Sequence, residues 1–436
     1  MTGYPVPQPN GPEGARQSRD SIRLIAFHLT QYHPIPENDE WWGRGFTEWT
    51  NVTKSRPLFE GHYQPQLPAD LGFYDLRLKE ARHAQIRLAQ DYGIDGFCYH
   101  YYWFSGKRLL NRPLDEMLAD PSADMPFCLS WANENWTRRW DAAEREVLIE
   151  QLYRPEDDQA FISDVLPFLQ DPRYIKVRGA PLLIVYRPQQ IPDPKKTIQS
   201  WRAYCHQVGL GQIHVAAALT HGNKDYLKYG CDSGVEFPPH NTAARDTAET
   251  LPFYGPFHGQ VIRYEDIAEE YLERDYKDGV VFRTVFPAWD NTARVGSRSL
   301  IVSNSSPDNY EHWLSSVLDG AADRSDVSGD IVFVNAWNEW AEGCHLEPDS
   351  RDKLGYLEAT LRAKRGLTRS KGFASYAGPR LAKTEQRSLR RDLGSLLAYH
   401  AASARRSLFA SIRARPWLKK LFRPAYIFAR NMRRER

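Results

Sequence analysis

The chain has 436 residues, a mass of 50.3 kDa and 57 Lys/Arg against 55 Asp/Glu, a formal charge of +2. That length holds one large domain or two ordinary ones, and 42% hydrophobic with 26% charged residues is the balance of a soluble globular chain. No stretch nears the roughly 18 uninterrupted apolar residues of a membrane span. The five scattered cysteines lack CxxC spacing, which excludes a disulfide frame or zinc site and reads as reduced thiols in a cytoplasmic protein.

Residues 1–20 are rich in Pro, Gly, Gln and Arg without an apolar core, which predicts a disordered tail rather than a signal peptide. From Ile22 onward short apolar runs recur, each ending in polar or aromatic residues. Ile22–Phe27 leads into His28, Tyr32 and His33; Ile94–Tyr99 leads into His100, Tyr101, Tyr102 and Trp103. Phe127–Ser130 leads into Trp131, Asn133, Glu134 and Trp136, and Pro181–Val185 into Tyr186 and Arg187. Ile213–Leu219 leads into Thr220 and His221, and Gly234–Phe237 contains Glu236 and leads into His240. Val280–Phe286 leads into Trp289, Asp290 and Asn291, and the last run is Ile331–Trp337. Helical periodicity fills Leu76–Tyr92, Pro155–Leu169, Ile198–Val208 and Tyr264–Asp275 between them.

Alternating strands and helices predict an α/β fold, a (β/α)8 TIM-type barrel over residues 21–368, with a doubly wound open sheet as the competitor. Polar and aromatic residues follow the C-terminal end of every run, where a barrel gathers its active site. The connection from His33 to Asp75 is long, aromatic and without regular period, which predicts a wall or lid of the cleft. It carries Trp42 and Glu48 as candidate substrate contacts. The end of the chain differs. Residues 380–436 hold 16 Lys/Arg against 3 Asp/Glu, with apolar residues at roughly helical spacing. This basic helical extension reads either as an interfacial segment on an anionic membrane, such as the inner membrane face, or as an appendage with a solvated basic face. Nothing in it resembles a groove-reading nucleic-acid motif.

The stretch Ile331–Pro348 concentrates the chemistry. An apolar strand breaks into Trp337-Asn338-Glu339-Trp340-Ala341-Glu342-Gly343. Two carboxyls at a strand end suit glycosidic bond chemistry, which needs an acid for the leaving oxygen and a second carboxylate as nucleophile or base. Indole rings supply stacking faces for a pyranose. A pair of surface loop carboxylates is the plainer reading of the same spacing. Tyr32, His33, His100, Tyr101, Trp131, Asn133, Glu134, Tyr186, Glu236, Trp289, Asp290, Trp337, Asn338 and Trp340 are further candidates for sugar contact, each with a core or loop role as its alternative. The histidines match no metal signature such as HExxH, and neither metal nor cofactor is expected.

Asn338-Glu339-Trp340-Ala341-Glu342-Gly343 resembles the Asn-Glu-Trp-x-Glu-Gly signature of glycoside hydrolase family 99, the endo-α-mannosidases. Gln31–Pro34, Trp41–Asn51, Tyr99–Trp103 and Trp131–Trp136 look closer still to the WbsX-like group, a related barrel associated with bacterial lipopolysaccharide and capsule assembly. The resemblance covers roughly residues 20 to 365. It implies that Glu339 is the base that takes the proton of the sugar's 2-hydroxyl and that Glu342 is the acid, with retention through an anhydro-sugar. The functions in view are a retaining glycoside hydrolase of bacterial surface polysaccharide, a glycosyltransferase or transglycosylase of lipopolysaccharide biosynthesis, and a non-catalytic glycan-binding barrel. The chain holds no Asp-x-Asp and no GxGxxG after a strand, the usual marks of a nucleotide-sugar enzyme.

Overall fold

The computed structural model describes residues 17–138, 146–276, 279–369 and 372–374. Apolar runs bounded by polar residues form the parallel strands β1 (Arg23–His28), β2 (Gly96–Phe104), β3 (Phe127–Trp131), β4 (Ala180–Val185), β5 (His214–Leu219) and β6 (Ser233–Glu236). They are followed by β7, in two pieces (Val281–Phe282 and Thr284–Val285), and β8 (Ile331–Val334). Each strand pairs in parallel with the next. β8 returns to β1 with Arg23 opposite Ile331 and Ala26 opposite Val334, so the sheet closes into the expected barrel.

Side chains help fasten the closure. The first piece of β7 pairs with β6 and the second with β8, so the strand breaks at Arg283. Glu236 fills the break. Its carboxylate accepts from Thr284 N (3.1 Å) and lies 3.2 Å from Arg283 Nε, while its carbonyl accepts from Thr284 Oγ1 (2.6 Å). Tyr276 Oη donates to the same carboxylate at 2.9 Å.

The helices α1 (Pro36–Trp42) and α2 (Glu48–Lys54) lie in the long first connection, where no regular period was legible. Helices α3 (Lys79–Asp91), α4 (Arg112–Leu118), α5 (Asp157–Leu169), α6 (Pro194–Gln207) and α7 (Tyr264–Glu273) surround the barrel. They are followed by α8 (Thr292–Val295), α9 (Pro307–Ala322) and α10 (Gly355–Lys364). Between β5 and β6 a single 3₁₀ turn, Leu227–Tyr229, stands in for the helix.

Aromatic rings fill the inside and coat the outside. Phe27 of β1 meets Phe333 of β8 and Phe237, just past β6, at centroid distances of 5.4 and 4.7 Å, which marks the interior. Trp131 packs outward on Phe161 and Trp201 of the helix layer. All five cysteines are buried and unpaired.

Residues 17–20 of the tail expected over 1–20 are ordered: Gln17 N donates to Ala322 O, and Arg19 bonds Asp319 and the Ala363 carbonyl. Residues 1–16 and the basic extension 380–436 lie outside the described residues. Among the described residues, no helix is long and apolar enough to cross a membrane.

Candidate active site

The strand ends and the first connection enclose a cleft of about 460 Å³. At its base the motif after β8 folds into a two-residue antiparallel ladder, Asn338–Glu339 with Cys344–His345, around one 3₁₀ turn, Trp340–Glu342. Gly343 closes that turn at φ 58°, a left-handed conformation that glycine adopts without the Cβ cost. A Cβ there would also sit 2.7 Å from Gln66 Nε2.

Asn338 sets the orientation of the turn. Its Oδ1 accepts from Leu29 N (2.7 Å) and its Nδ2 donates to Leu29 O (3.0 Å), so a buried amide joins the motif to the end of β1. Tyr32 Oη donates to the Asn338 carbonyl (2.5 Å) and accepts from Trp340 N (3.2 Å). Trp340 stacks on His345 and packs against Trp49 of α2, which brings that helix to the cleft. Asp290 holds the other side: its N–H donates to Glu342 O at 2.6 Å, and its carboxylate accepts from His62, Gln64 and Thr292.

Held this way, Glu339 and Glu342 meet at one cation. Arg294 of α8 donates from Nη2 to Glu339 Oε2 (2.9 Å), from Nη1 to Glu342 Oε1 (2.6 Å) and from Nε to Glu48 Oε1 (3.3 Å). Asn51 Nδ2 donates to both oxygens of Glu48. Burial pushes Glu339 and Glu342 above the ordinary carboxylate range; Arg294 opposes that shift, and neighbouring carboxylates add to it. Burial opposes the charge on Arg294, yet Glu48, Glu342 and Glu339 hold its pKa above the usual guanidinium value. His100, 3.8 Å from Glu339 Oε1, is lowered to about 4 by burial and by Arg294, so it stands there as neutral imidazole. Burial with nearby His221 and Arg187 takes His240 to about 3.

Of the sequence candidates, Trp42, Glu48, His100, Glu134, Tyr186, Trp289, Glu339 and Glu342 line the cleft. Tyr32, Asn338 and Trp340 stand directly behind it as supports. Trp337 faces outward onto Phe97. Tyr101, Trp131, Asn133, His33, Asp290 and Glu236 do not line it either. Tyr101 and Trp131 alternate to the outer face of their strands, where Tyr101 bonds Asp164 and packs on Phe161 and Phe168. Asn133 bridges Tyr153 Oη and the backbone of Arg187. His33 is buried away from the opening, and Glu236 stitches β7.

Arg294 escaped the sequence reading because neither a strand end nor a motif marks it. Tyr102 and Trp136 also line the cleft; both sit inside the aromatic motifs Tyr99–Trp103 and Trp131–Trp136, where strand alternation would have selected Tyr102 over Tyr101. Among the described residues, no group of His, Cys, Asp or Glu is arranged to hold a metal ion.

The sequence model of a family described as Glycosyltransferase WbsX matches residues 24–360. Two curated relatives from Xanthomonas campestris pv. campestris, strains ATCC 33913 and B100, each described as uncharacterized protein WxcX, are 44% identical over 353 residues. Those matches cover 81% of this chain and 50% of theirs, so the chain spans about half the length of the curated relatives it matches. A solved structure described as a glycoside hydrolase-like protein is similar in fold, with a TM-score of 0.51 at 13% identity over 84% of this chain and 98% of that one. The GH99 endo-alpha-mannosidase from Bacteroides thetaiotaomicron gives 0.49 at 13% identity over 79% and 97% of the two chains. With the match running from the first barrel strand to the last helix, the chain belongs to the WbsX glycosyltransferase family.

Proposed function

We propose that the barrel breaks and re-forms glycosidic bonds with retention, using Glu339 and Glu342, in the metabolism of a bacterial surface polysaccharide such as O-antigen or capsule. The observation that carries this reading is the convergence of both glutamates on one guanidinium at the base of a cleft that Trp42, Trp136 and Trp289 also line. Glu339 takes the proton of the 2-hydroxyl as that oxygen closes on the anomeric carbon. Glu342 gives a proton to the departing oxygen, then takes one from the water or sugar hydroxyl that opens the anhydro-sugar. Burial raises both carboxyls, Glu339 to about 8, so the pair keeps a proton at neutral pH; the assigned roles place that proton on Glu342 for the first step.

The family's description favours transfer, and the cleft bears on the donor. Among the described residues that line it, Arg294 is the only Lys or Arg, and three carboxylates already hold it. A nucleotide diphosphate would meet carboxylates there. A glycan already joined to its carrier would not suffer that repulsion, so transfer from glycan to glycan fits both the family and the charge. The basic extension supports work at the inner membrane face, on a lipid-linked glycan in the cytoplasm.

The test is incubation with candidate glycans, with and without nucleotide sugars, following whether saccharide is released, exchanged or extended. Extension that requires a nucleotide sugar overturns the reading. Release by a chain lacking both carboxylates overturns the mechanism.

A further inference from the structure

The two carboxyls proposed to react are bonded to different ends of the same side chain, which arrives from a four-residue helix in another connection. A guanidinium is planar and its N–H directions are fixed, so its partners are fixed relative to each other. An ammonium on a flexible stem imposes no such relation.

We infer that Arg294 is the positioning residue of this glutamate pair, setting the separation and mutual orientation of Glu339 and Glu342 through the two ends of its fork. This deepens the glycosidic reading and rests on it for the roles of the two glutamates. Three features support it. The first is geometry: Nη1 and Nη2 each serve one glutamate, and Nε is occupied by Glu48, so the guanidinium cannot turn without losing a partner. The second is anchorage. Arg294 N donates to Asn291 O, and Asp290 in the same segment holds the Glu342 backbone, so one loop fixes both main chain and side chain of Glu342.

The third is charge. His100 and Tyr102 face the cluster from β2, Tyr32 from the first connection and Tyr186 from the end of β4; His100 is neutral at pH 7, and the three tyrosines are pushed up by burial, so they stay neutral too. Glu134 stands farther out and is paired with Arg187. Lys54 of α2 acts on Glu48 from beside Asn51, while Arg294 is the cation bonded to all three carboxyls, so its removal must raise the proton affinity of the pair.

The test uses the full chain carrying glutamate labelled with ¹³C at the side-chain carboxyl. The signals of the pair are assigned by Glu339→Gln and Glu342→Gln and followed against pH by NMR. Arg294→Gln is expected to move both midpoints upward by roughly one pH unit or more, and Arg294→Lys by less. Glu48→Gln, which removes a competing carboxylate, is expected to move them downward. Unchanged midpoints in a folded Arg294→Gln chain overturn the inference; if that chain does not fold, unchanged midpoints in Arg294→Lys do so. Because no glycan enters the measurement, shifted midpoints without any glycan turnover would keep the role of Arg294 and retire the glycosidic reading. Turnover with unshifted midpoints would do the converse.

Discussion

Trp340 donates its indole N–H to Glu347 at 2.7 Å, so the ring between the two cleft glutamates is pinned from below by a third glutamate. Glu347 is 2% exposed and also accepts from Tyr74 Oη (2.8 Å) and Gln85 Nε2 (2.7 Å). Burial raises its pKa from 4.5 to about 7, against the pull of those donors. A carboxyl raised on folding contributes stability that is full below its unfolded value and lost as pH rises through its folded one. Unfolding free energy should therefore fall between about pH 4.5 and pH 7 by an amount on the order of 3 kcal/mol from this group. Glu347→Gln should make that slope shallower, leaving the share of Glu339 and Glu342, which burial also raises; urea titrations across the range check it, and parallel slopes would remove Glu347 as a cause.

Asn338→Ala should cost about 2–4 kcal/mol, since both the N–H and the carbonyl of Leu29 lose their partner inside the protein. Chemical denaturation gives the number. A loss of only a few tenths would mean that Leu29 finds other partners.

Glu339→Gln and Glu342→Gln should each lower glycan turnover by roughly 10²- to 10⁴-fold. Circular dichroism should be unchanged in both. Near-normal turnover in either variant would remove that residue from the chemistry.

Gly343→Ala forces a methyl into a left-handed position against Gln66 and within 3.0 Å of the backbone of Asp290. A stability loss of about 1–3 kcal/mol is expected. Turnover should fall with it, because Asp290 N holds the Glu342 carbonyl. A neutral Ala variant would show that the turn relaxes freely.

Deletion of residues 380–436 should abolish flotation with anionic liposomes, and salt should weaken binding of the full chain. Undiminished flotation of the shortened chain would dispose of the membrane role.

The barrel was legible because buried parallel strands read as apolar runs, and each run here stops where its side chains meet the opening. The limits of that signal are equally physical. The run from Val280 to Phe286 reads as one strand although Arg283 and Thr284 interrupt it, and hydrogen bonding breaks at Arg283, where Glu236 takes over. Polar residues just past a strand were treated alike, although strand geometry sends His100 and Tyr102 to the cleft and Tyr101 to the helices. In the same way Trp337 and Glu339, two residues apart, part company once the strand gives way to a tight turn. Arg294 carries no local signal at all: its meaning lies in three partners, from 45 to 246 positions distant.

The stitch at Glu236 places part of the wall's continuity in a position that mutation can reach. A peptide carbonyl persists whatever residue carries it, whereas this bond to Thr284 vanishes with a single codon change. Homologues that keep an unbroken seventh strand would be free to vary there, and those with the interruption would not, so the identity of this one residue should track how the barrel is fastened across relatives.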